Sequence, residues 1–414
     1  MFDDLCQMAL RQTLELVSLT DEKLRGLTRR KLSREETYRE VLGKVLGGKG
    51  RRGPSGIFIA TEGPECTCCN GRVFHLREHE LIESSDEISI DPGSSYALGL
   101  LSVEGSGDAV AVNWMDICNS VDDFQVLFHP QVTDAMEEPI LNFVSSRISG
   151  ETTGVLVAFN YPGRVTEYDA DVLKSAATVM GSLLTVSQEM QETEQAFHYT
   201  VSALARACEA AEEDTGKHIV RVNRYAGALA ANMGFNTSFV EDMAFFAQMH
   251  DVGKIRVPVE ILLKEGPLDD RELQIMRQHP AYGEEIIGKA PRLMIAREIA
   301  IAHHENWDGS GYPKRLKGER IPIPGRIVKV ADVYDALRSR RSYKVPLSHQ
   351  EALQVFREGD ERINPAAHFD PAVLATFFKI EKMFESIYES SILKLGLNRR
   401  MENRKPPGRE RRKG

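Results

Sequence analysis

Hydrophobic side chains recur at alternating intervals of three and four residues through the middle of the chain, from Leu173 to Ala211, with Ser187 and Glu194 as polar breaks. This spacing keeps them on one face of a helix and is typical of a coiled-coil seam. We therefore predict a connecting helix over 169–195 that continues into the next domain, and a homodimer formed through this seam. Two ordinary helices, each packing on its own domain, are the alternative interpretation.

The regions on either side of this helix have different patterns. In 1–168, short β-type runs such as 56–60 and 154–159 alternate with clusters of Gly, Asp, Asn and Pro, with helical segments mixed in. This pattern predicts an α+β domain built on an antiparallel sheet. In 196–390 the spacing is helical throughout, which predicts an all-α domain. The basic end, 391–414, contains prolines and glycines and is predicted to be a disordered tail.

Two helix starts in the all-α domain are predicted from capping boxes. In this motif an N-cap side chain and an acidic residue three positions later satisfy each other's backbone groups. One pair is Ser238 with Glu241, and the other is Asp269 with Glu272. We expect helices to begin directly after Ser238 and after Asp269.

Composition narrows the class of protein and its partners. The 414 residues suffice for two or three domains with substantial cores. The formal net charge of -9 argues against non-specific binding to long nucleic acids. No apolar stretch is long enough to cross a bilayer, and the N-terminus lacks the basic region of a signal peptide, so we expect a cytoplasmic protein without membrane insertion. The six cysteines form no obvious disulfide framework, which fits a reducing compartment.

Side chains that bind metals recur through the all-α domain at predicted helix ends. Those best suited to the task are His218, His250, Asp251, His279, His303, His304 and Asp332. No cysteine lies between the first and the last of them. A set of imidazoles and carboxylates without thiolate suits Fe, Mn, Zn or Mg rather than a structural zinc site.

Most of these side chains lie shortly after apolar runs, where a buried helix would reach the surface. The runs are 243–247, 299–302 and 327–331. Burying several unpaired imidazoles and carboxylates would be prohibitive unless they met a metal. The pattern therefore favours a shared metal centre over independent structural histidines, which are the alternative.

Three longer motifs carry a resemblance to a known family. The runs at 250–255, 303–313 and 331–337 closely resemble those of the HD-GYP family, a branch of the HD metal-dependent phosphohydrolases. The resemblance covers about 212–370. It implies an all-α fold, a centre of two or three divalent metal ions and hydrolysis of cyclic di-GMP, with some members preferring related cyclic dinucleotides. Fe is the metal we expect, with Mn as the alternative.

Residue roles follow from the same resemblance. It implies catalytic roles for Asp251, which would bridge two ions, and for Lys254, which would meet a substrate phosphate. The metal ligands that it implies are His250, Asp251, His279, His303, His304 and Asp332.

The resemblance also implies substrate-binding residues. Arg341 and Lys344 match the family's basic phosphate-binding pair, although Ser342 stands where the family usually has Pro. The alternative is that these two residues and Lys254 are solvated surface charges. Tyr312, in a glycine-rich loop, would either contact a guanine or fix the loop by packing.

A third metal ion is expected from Asp214 and His218. Residues four apart share one face of a helix, so both side chains would reach one ion. Members of the family with three ions typically have Glu in the matching position, and Asp is shorter by one methylene. The alternative is that Asp214 caps the helix that follows.

The α+β region resembles a GAF domain, a small-molecule sensor fold, at the level of architecture and placement. Its oddest feature is the cluster Cys66, Cys68 and Cys69, with His75 and His79 nearby. These residues would bind zinc or an iron centre, or act as a thiol sensor. A surface loop with incidental cysteines is the alternative.

Together these patterns predict a metal-dependent phosphodiesterase that hydrolyses cyclic di-GMP to the linear dinucleotide or GMP. Attack by a hydroxide formed from a water that bridges two ions would need no side-chain nucleophile. The N-terminal domain would regulate this activity in response to an unknown small ligand or redox signal. The alternatives are a non-catalytic receptor for cyclic dinucleotides and a phosphohydrolase acting on another cyclic dinucleotide.

Overall fold

The computed structural model describes residues 39, 42, 43, 46, 53–62, 69–77, 80–91, 94, 96, 109–148, 154–209, 217–339 and 346–402. The chain divides into two compact units, Met1–Gln195 and Ala196–Gly414. The first unit is built on a sheet and the second is helical, as the hydrophobic pattern predicts.

The first unit contains an antiparallel sheet. Its strands are β1 (Gly56–Glu62), β2 (Cys69–Arg77), β3 (Glu80–Glu83), β4 (Ile88–Ile90), β5 (Ala109–Asn113), β6 (Asn142–Ile148) and β7 (Gly154–Phe159). Within the described residues the strand order is β3-β2-β1-β7-β6-β5, and β4 pairs with β2. Short helices connect β5 to β6, namely α1 (Trp114–Ile117), α2 (Val121–Gln125) and α3 (Pro130–Ala135).

Strand β1 is covered on both faces, because side chains alternate across a sheet. Ile57 packs in the cluster that also contains Leu173 of the following helix. Phe58 packs on the opposite side in a cluster with Phe124 and Phe128. A strand covered on both faces reads as a continuous apolar run, which explains the sequence at 56–60. The antiparallel sheet is confirmed, and the resemblance to a GAF domain stays a prediction.

A single helix, α4 (Glu167–Glu209), contains the predicted 169–195 segment and extends past it. The predicted seam is divided along its length. Leu183 is buried in the core of the first unit, and Val201 is buried in the core of the second. Between them no residue of 185–200 is buried, and Met190 is 36% exposed.

The second unit is helical throughout its described residues. Its α-helices are α5 (Lys217–Asn232), α6 (Thr237–Phe246), α7 (Val259–Leu262), α8 (Asp270–Met276), α9 (His279–Ile287), α10 (Met294–Ala302), α11 (Ile323–Arg338), α12 (His349–Glu358), α13 (Pro365–His368), α14 (Pro371–Lys379) and α15 (Glu381–Glu402). Short 3₁₀ helices lie at Ala247–Met249, Val252–Arg256, Pro291–Leu293 and Gly318–Arg320. Tyr225, Tyr334, Phe377 and Phe384 pack together in the centre of its core.

One of the two predicted capping boxes is confirmed. Asp269 accepts a hydrogen bond from the backbone of Glu272, and the Glu272 side chain accepts one from the backbone of Asp269. The box at Ser238 is wrong, because α6 begins two residues earlier than predicted, at Thr237, with Asn236 as its N-cap. The Asn236 side chain accepts a hydrogen bond from Phe239 N, so this helix end is already satisfied.

The last helix, α15, continues to Glu402 and therefore occupies the first part of the predicted tail. The reason is visible in the sequence, where Ile392, Leu393 and Leu395 are apolar and the prolines begin only at Pro406. Residues 403–414 lie outside the described residues. No helix in the described part of the chain is long and apolar enough to cross a membrane.

Two glycines allow the backbone to approach closely where the second unit assembles its polar centre. A Cβ atom on Gly253 would lie 1.9 Å from the carbonyl oxygen of His279. A Cβ atom on Gly325 would lie 2.6 Å from the Cβ of Ala302, where α10 and α11 cross. These close approaches bring the ends of three elements, which carry Asp251, His279 and His303, to one place.

Candidate metal centre

The candidate ligands lie where buried elements end. Helix α6 and the 3₁₀ helix that follows are anchored by Met243 and Phe246, so the chain reaches the centre at His250 and Asp251. His279 is the first residue of α9. The other ligands come directly after α10, at His303 and His304, from α5, at His218, and from α11, at Asp332.

The first group of ligand atoms belongs to Asp251, His279, His303 and His304. These four atoms all lie within 4.8 Å of one another. Asp251 Oδ1 lies 3.1 Å from His279 Nε2 and 3.6 Å from His303 Nε2. Three imidazoles and one carboxylate oxygen in this space form a candidate site for a divalent cation.

The second group is formed by His218, His250 and again Asp251. Asp251 Oδ2 lies 3.2 Å from His250 Nε2, and the two imidazole Nε2 atoms are 3.3 Å apart. Asp332 Oδ1 completes this side, 3.6 Å from His218 Nε2 and 4.0 Å from His250 Nε2. Asp251 therefore offers one oxygen to each group, which is the geometry of a bridging carboxylate.

The opposite nitrogen of three of these imidazoles is already engaged. His250 Nδ1 lies 2.9 Å from the carbonyl oxygen of Ala247, and His279 Nδ1 lies 2.8 Å from that of Met276. His303 Nδ1 is 3.0 Å from the carbonyl oxygen of Ala300. A carbonyl can only accept a hydrogen bond, so the proton sits on Nδ1 and the Nε2 lone pair faces the centre. This arrangement is typical of metal-binding histidines.

Two unfavourable contacts among these residues are consistent with bound cations. His279 Nε2 and His303 Nε2 lie 3.3 Å apart, yet both are lone-pair acceptors in this tautomer. Asp251 Oδ1 is buried and has no hydrogen-bond partner among the described residues. Facing acceptors without a proton between them repel, and a buried carboxylate oxygen without a partner is destabilising. A cation between them would remove both problems.

The pKa shifts of His303, His304 and Asp251 favour the protonation states that bind metals. Burial lowers the pKa of His303 to about 4 and holds that of His304 well below its ordinary value, so both rings are neutral at pH 7. Burial raises the pKa of Asp251, but the charge of Lys254 and the nearby His250 and His279 rings outweigh it and hold the pKa well below its ordinary value. Neutral imidazoles and an ionised carboxylate are the states that bind metals.

Asp335 and Arg221 are two functional residues that the sequence analysis missed. Asp335 is completely buried and lies 2.8 Å from His218 Nδ1 through Oδ2. Arg221 donates two hydrogen bonds to the same carboxylate, at 2.6 and 2.8 Å. Burial raises the pKa of Asp335, but the bonds from Arg221 and His218 bring it below its ordinary value. Their sequence positions could have indicated them, because Arg221 and Asp335 each lie three residues after a predicted ligand, on the same face of its helix.

A loop after α10 borders the first group of ligands. Its buried Glu305 accepts hydrogen bonds from the backbone of Lys314 at 2.7 Å and of Leu316 at 3.0 Å. The ring of Tyr312 stacks on that of His304, with centroids 4.8 Å apart. Tyr312 therefore packs against a candidate ligand, and its contact with substrate stays a prediction.

The remaining predicted residues divide into two sets. Lys254 Nζ forms an ion pair with Asp251 Oδ2 at 2.8 Å, so it lies beside the centre as expected. The predicted ligand Asp214 and the predicted phosphate-binding pair Arg341 and Lys344 lie outside the described residues.

The cysteine cluster of the first unit is also largely outside the described part of the chain. Cys66, Cys68 and His79 are among the residues that are not described, and Cys69 begins β2. His75 is buried in the same strand, with Nε2 3.8 Å from Glu137. The proposed metal or redox role of the cluster stays a prediction.

Comparisons with known proteins identify the class. A profile of the family described as HD domain matches residues 200–373. The chain is 33% identical over 316 residues to a protein of Thermotoga maritima named cyclic di-GMP phosphodiesterase, covering 75% of this chain and 82% of that protein. The chain therefore belongs to the HD domain family, in its HD-GYP branch.

Two relatives from Vibrio cholerae match over shorter shares of their length. One, named cyclic di-GMP phosphodiesterase, is 36% identical over 271 residues, which cover 61% of this chain and 52% of the relative. The other, named 3'3'-cGAMP-specific phosphodiesterase 2, is 41% identical over 188 residues, which cover 45% of this chain and 34% of the relative. The chain thus spans about half of the first relative and a third of the second.

Proposed function

We propose that this chain is a metal-dependent phosphodiesterase that hydrolyses cyclic di-GMP. The observation that carries the proposal is the position of Asp251, which offers one carboxylate oxygen to each of two groups of imidazoles. A pair of cations held in this way is suited to phosphodiester hydrolysis. The names of the Thermotoga maritima relative and one Vibrio cholerae relative support cyclic di-GMP as the substrate.

When bound, divalent cations would supply Lewis-acid activation of water and would neutralise charge that grows on a phosphoryl group. The residues of the chain would do the rest. Asp251 would orient the two sites through its two oxygens. Lys254 keeps a positive charge 2.8 Å from Asp251 Oδ2, and would turn it towards a phosphoryl oxygen of the substrate. The resemblance to the family supports this role and supports phosphate binding by Arg341 and Lys344.

The number and identity of the ions belong to the same proposal. The first group would hold one ion and the second another. His218 would also take part in a third site with Asp214, as the Asp214–His218 spacing predicts. Oxygen and nitrogen ligands without thiolate suit Fe, with Mn as the alternative.

Regulation by the N-terminal unit completes the proposal. A sheet domain ahead of a long helix and a catalytic domain is an arrangement that suits a sensor for a small ligand or redox signal. We also propose a cytoplasmic location and a homodimer. The sequence pattern of 1–168 supports a sensor domain, and the three-four spacing in α4 supports the homodimer.

A second substrate is favoured by one specific observation. The relative named 3'3'-cGAMP-specific phosphodiesterase 2 is 41% identical to this chain over 188 residues. Cyclic GMP-AMP differs from cyclic di-GMP in one base only, so base contacts rather than the metal centre would distinguish the two. A non-catalytic receptor is a weaker alternative, because a receptor does not need the predicted ligands to converge.

The test is a turnover assay on anaerobically purified protein with its metal content measured in parallel. We expect hydrolysis of cyclic di-GMP to exceed that of 3'3'-cGAMP and to disappear in Asp251→Asn. The control variant is Asp270→Asn, which changes an exposed carboxylate at the start of α8 and should retain turnover. Metal-loaded protein that binds cyclic di-GMP without hydrolysing it would instead identify a receptor.

A further inference from the structure

An exposed arginine lies beside the loop that borders the metal centre. The guanidinium carbon of Arg277 is 5.5 Å from the ring centroid of Tyr312, which is the range of a cation–π contact. The ring of Tyr312 also stacks on that of the candidate ligand His304, with centroids 4.8 Å apart. Arg277 and a candidate metal ligand therefore contact the same aromatic ring.

The backbone around Arg277 is fixed on both sides. Arg277 is the C-cap of α8, and its backbone N–H donates to the carbonyl oxygen of Leu273 at 2.9 Å. The carbonyl oxygen of Met276 lies 2.8 Å from Nδ1 of His279, the candidate ligand that begins α9. These contacts hold the start of the arginine side chain in a fixed position relative to the centre, and the ring of Tyr312 restrains its end.

The hydrogen-bond donors of Arg277 are available to a ligand. Within the described residues, no acceptor forms a hydrogen bond or ion pair with this side chain. Two other cations of the region differ, since Lys254 is paired with Asp251. Lys314, in the loop, is paired with Glu284. Arg277 therefore presents a planar fork of N–H groups at the edge of the centre.

This position suits a base of the substrate better than a phosphate. The phosphates already have candidate partners in the metal centre, in Lys254 and in the pair Arg341 and Lys344. A ribose separates each base from its phosphate, so a group that contacts a base lies outside the ligands that surround the scissile bond. Arg277 is not one of those ligands, but it contacts Tyr312, which contacts one of them.

Guanine and an arginine side chain have matching hydrogen-bonding groups. Guanine presents two acceptors, O6 and N7, on one edge, and a guanidinium presents two parallel donors. Adenine presents N7 and an amino group on the same edge, so its amino donor would face the donors of the arginine. An arginine in contact with this edge therefore favours guanine over adenine.

We propose that Arg277 binds the O6 and N7 edge of one guanine base and makes the site selective for guanine at that position. The inference rests on the proposed function, and it names the residue that would distinguish cyclic di-GMP from dinucleotides that contain adenine. Arg277 is then a specificity-determining residue that takes no part in bond cleavage.

Cyclic di-GMP and cyclic di-AMP test this assignment, because they share both phosphates and both riboses and differ only in their bases. We expect Arg277→Gln to lower the ratio of kcat/KM for cyclic di-GMP to that for cyclic di-AMP by about tenfold, as loss of one bidentate base contact would. A glutamine side chain pairs with N6 and N7 of adenine, so turnover of cyclic di-AMP should not fall.

The mixed substrate 3'3'-cGAMP gives a second readout that does not depend on the absolute rate. Its two phosphodiesters are inequivalent, so the first hydrolysis gives either pApG or pGpA. Because Arg277 would hold the guanine in one place relative to the scissile bond, the wild-type protein should form one isomer in excess. Arg277→Gln should raise the share of the other isomer.

A matched control and a metal analysis separate the outcomes. Arg271→Gln changes an exposed arginine of α8 and should keep the wild-type ratio and isomer distribution. The metal content of Arg277→Gln should equal that of the wild-type protein.

An unchanged ratio in Arg277→Gln would overturn the assignment. Equal losses with both symmetric dinucleotides would also overturn it, because a phosphate contact or a purely structural contact with Tyr312 predicts that result. So would an equal mixture of the two isomers from the wild-type protein. Failure of the wild-type protein to hydrolyse any cyclic dinucleotide would instead reject the proposed function, and the assignment with it.

Discussion

At the scale of single residues, the polar centre depends on contacts behind the candidate ligands. His218 is oriented by Asp335, which is in turn held by two hydrogen bonds from Arg221. Burial lowers the pKa of His218, but the bond and charge of Asp335 more than reverse this and raise it overall. Asp335 thus decides which nitrogen of His218 faces the second group of ligands, and it is a positioning residue.

Asp335→Asn tests this role. The substitution keeps the shape of the side chain but leaves the buried Arg221 without its counter-charge, so we expect unfolding free energy to fall by about 3 kcal/mol. The loss of metal should exceed that of the control Glu319→Gln, which changes an exposed side chain of the 3₁₀ helix Gly318–Arg320. Denaturant unfolding and metal analysis measure both effects. Wild-type stability in Asp335→Asn would show that the ion pair is not structural.

The pKa of His303 predicts a pH dependence of the metal-free protein. The folded state holds its pKa at about 4, below the ordinary value for histidine, so the unfolded state binds the proton more readily. Stability from this group is complete above pH 6.5 and is lost as the pH falls towards 4. We expect a loss of about 3 kcal/mol across that window.

Unfolding in chelator at several pH values measures the effect. His218 contributes in the opposite direction, because its pKa is raised and its contribution is lost as pH increases. The informative quantity is therefore the difference between wild type and His303→Gln. A variant with the same pH slope as the wild-type protein would contradict the assignment to His303.

Part of this centre could be predicted from the sequence, because some of its residues are marked by the residues that directly precede them. Asp251, His303 and Asp332 follow apolar runs, so the chain itself indicates where buried elements expose polar groups. The bond between Arg221 and Asp335 could not be predicted in this way. It joins residues 114 positions apart, and only the packing of α5 on α11 brings them together.

At the scale of elements, glycines set the distances between helices. The crossing of α10 and α11 depends on the absence of a side chain at Gly325, since a Cβ there would lie 2.6 Å from the Cβ of Ala302. His303 directly follows the crossing, and Asp332 lies on the second helix. A change in the separation of the helices would therefore move candidate ligands from both.

Gly325→Ala should separate these helices. We expect the added methyl group to lower unfolding free energy by about 2 kcal/mol through overpacking, and to lower the metal content. Ala302→Gly in the same chain removes the opposing Cβ, so the double variant should bind more metal than Gly325→Ala alone. Thermal unfolding and metal analysis of the three variants decide the point. Equal metal content in wild type and Gly325→Ala would show that the crossing does not position the ligands.

The two predicted helix starts show when a capping-box pattern in the sequence predicts the observed N-cap. The capping box at Asp269 is present because its two side chains satisfy one another. At Ser238 the same pattern was misleading, because Asn236 caps α6 by itself and Phe239, rather than an acidic residue, stands three positions later. A single N-cap without its acidic partner leaves a weaker sequence signal than a capping box does.

At the scale of the whole molecule, the hydrophobic spacing in α4 does not show which residues pack inside their own chain. Leu183 and Val201 each pack within the core of their own unit. Their spacing therefore reflects packing inside one chain. Residues 185–196, where no described side chain is buried, are the part of the helix available for a second copy of the chain, since Phe197 and His198 already contact Phe246 and Phe245 of their own chain.

We predict a homodimer that uses this exposed stretch. Met190→Glu would place a charge on the seam and should shift the protein towards monomers at micromolar concentration. Gln195→Glu adds the same charge at an exposed position outside the heptad positions and should leave the dimer intact. Light scattering coupled to size-exclusion chromatography measures the mass. A wild-type monomer, or a dimer unaffected by Met190→Glu, would contradict the predicted seam.

The proposed two-ion centre at Asp251 is tested most directly by anomalous X-ray scattering from crystals of anaerobically purified protein, measured at the absorption edge of the bound metal. We expect two peaks on opposite sides of Asp251. One should lie about 2.0–2.3 Å from Nε2 of His279 and His303, and the other at a similar distance from Nε2 of His218 and His250. A single peak, or peaks that leave either Asp251 oxygen without a metal neighbour, would contradict a bridged pair of ions.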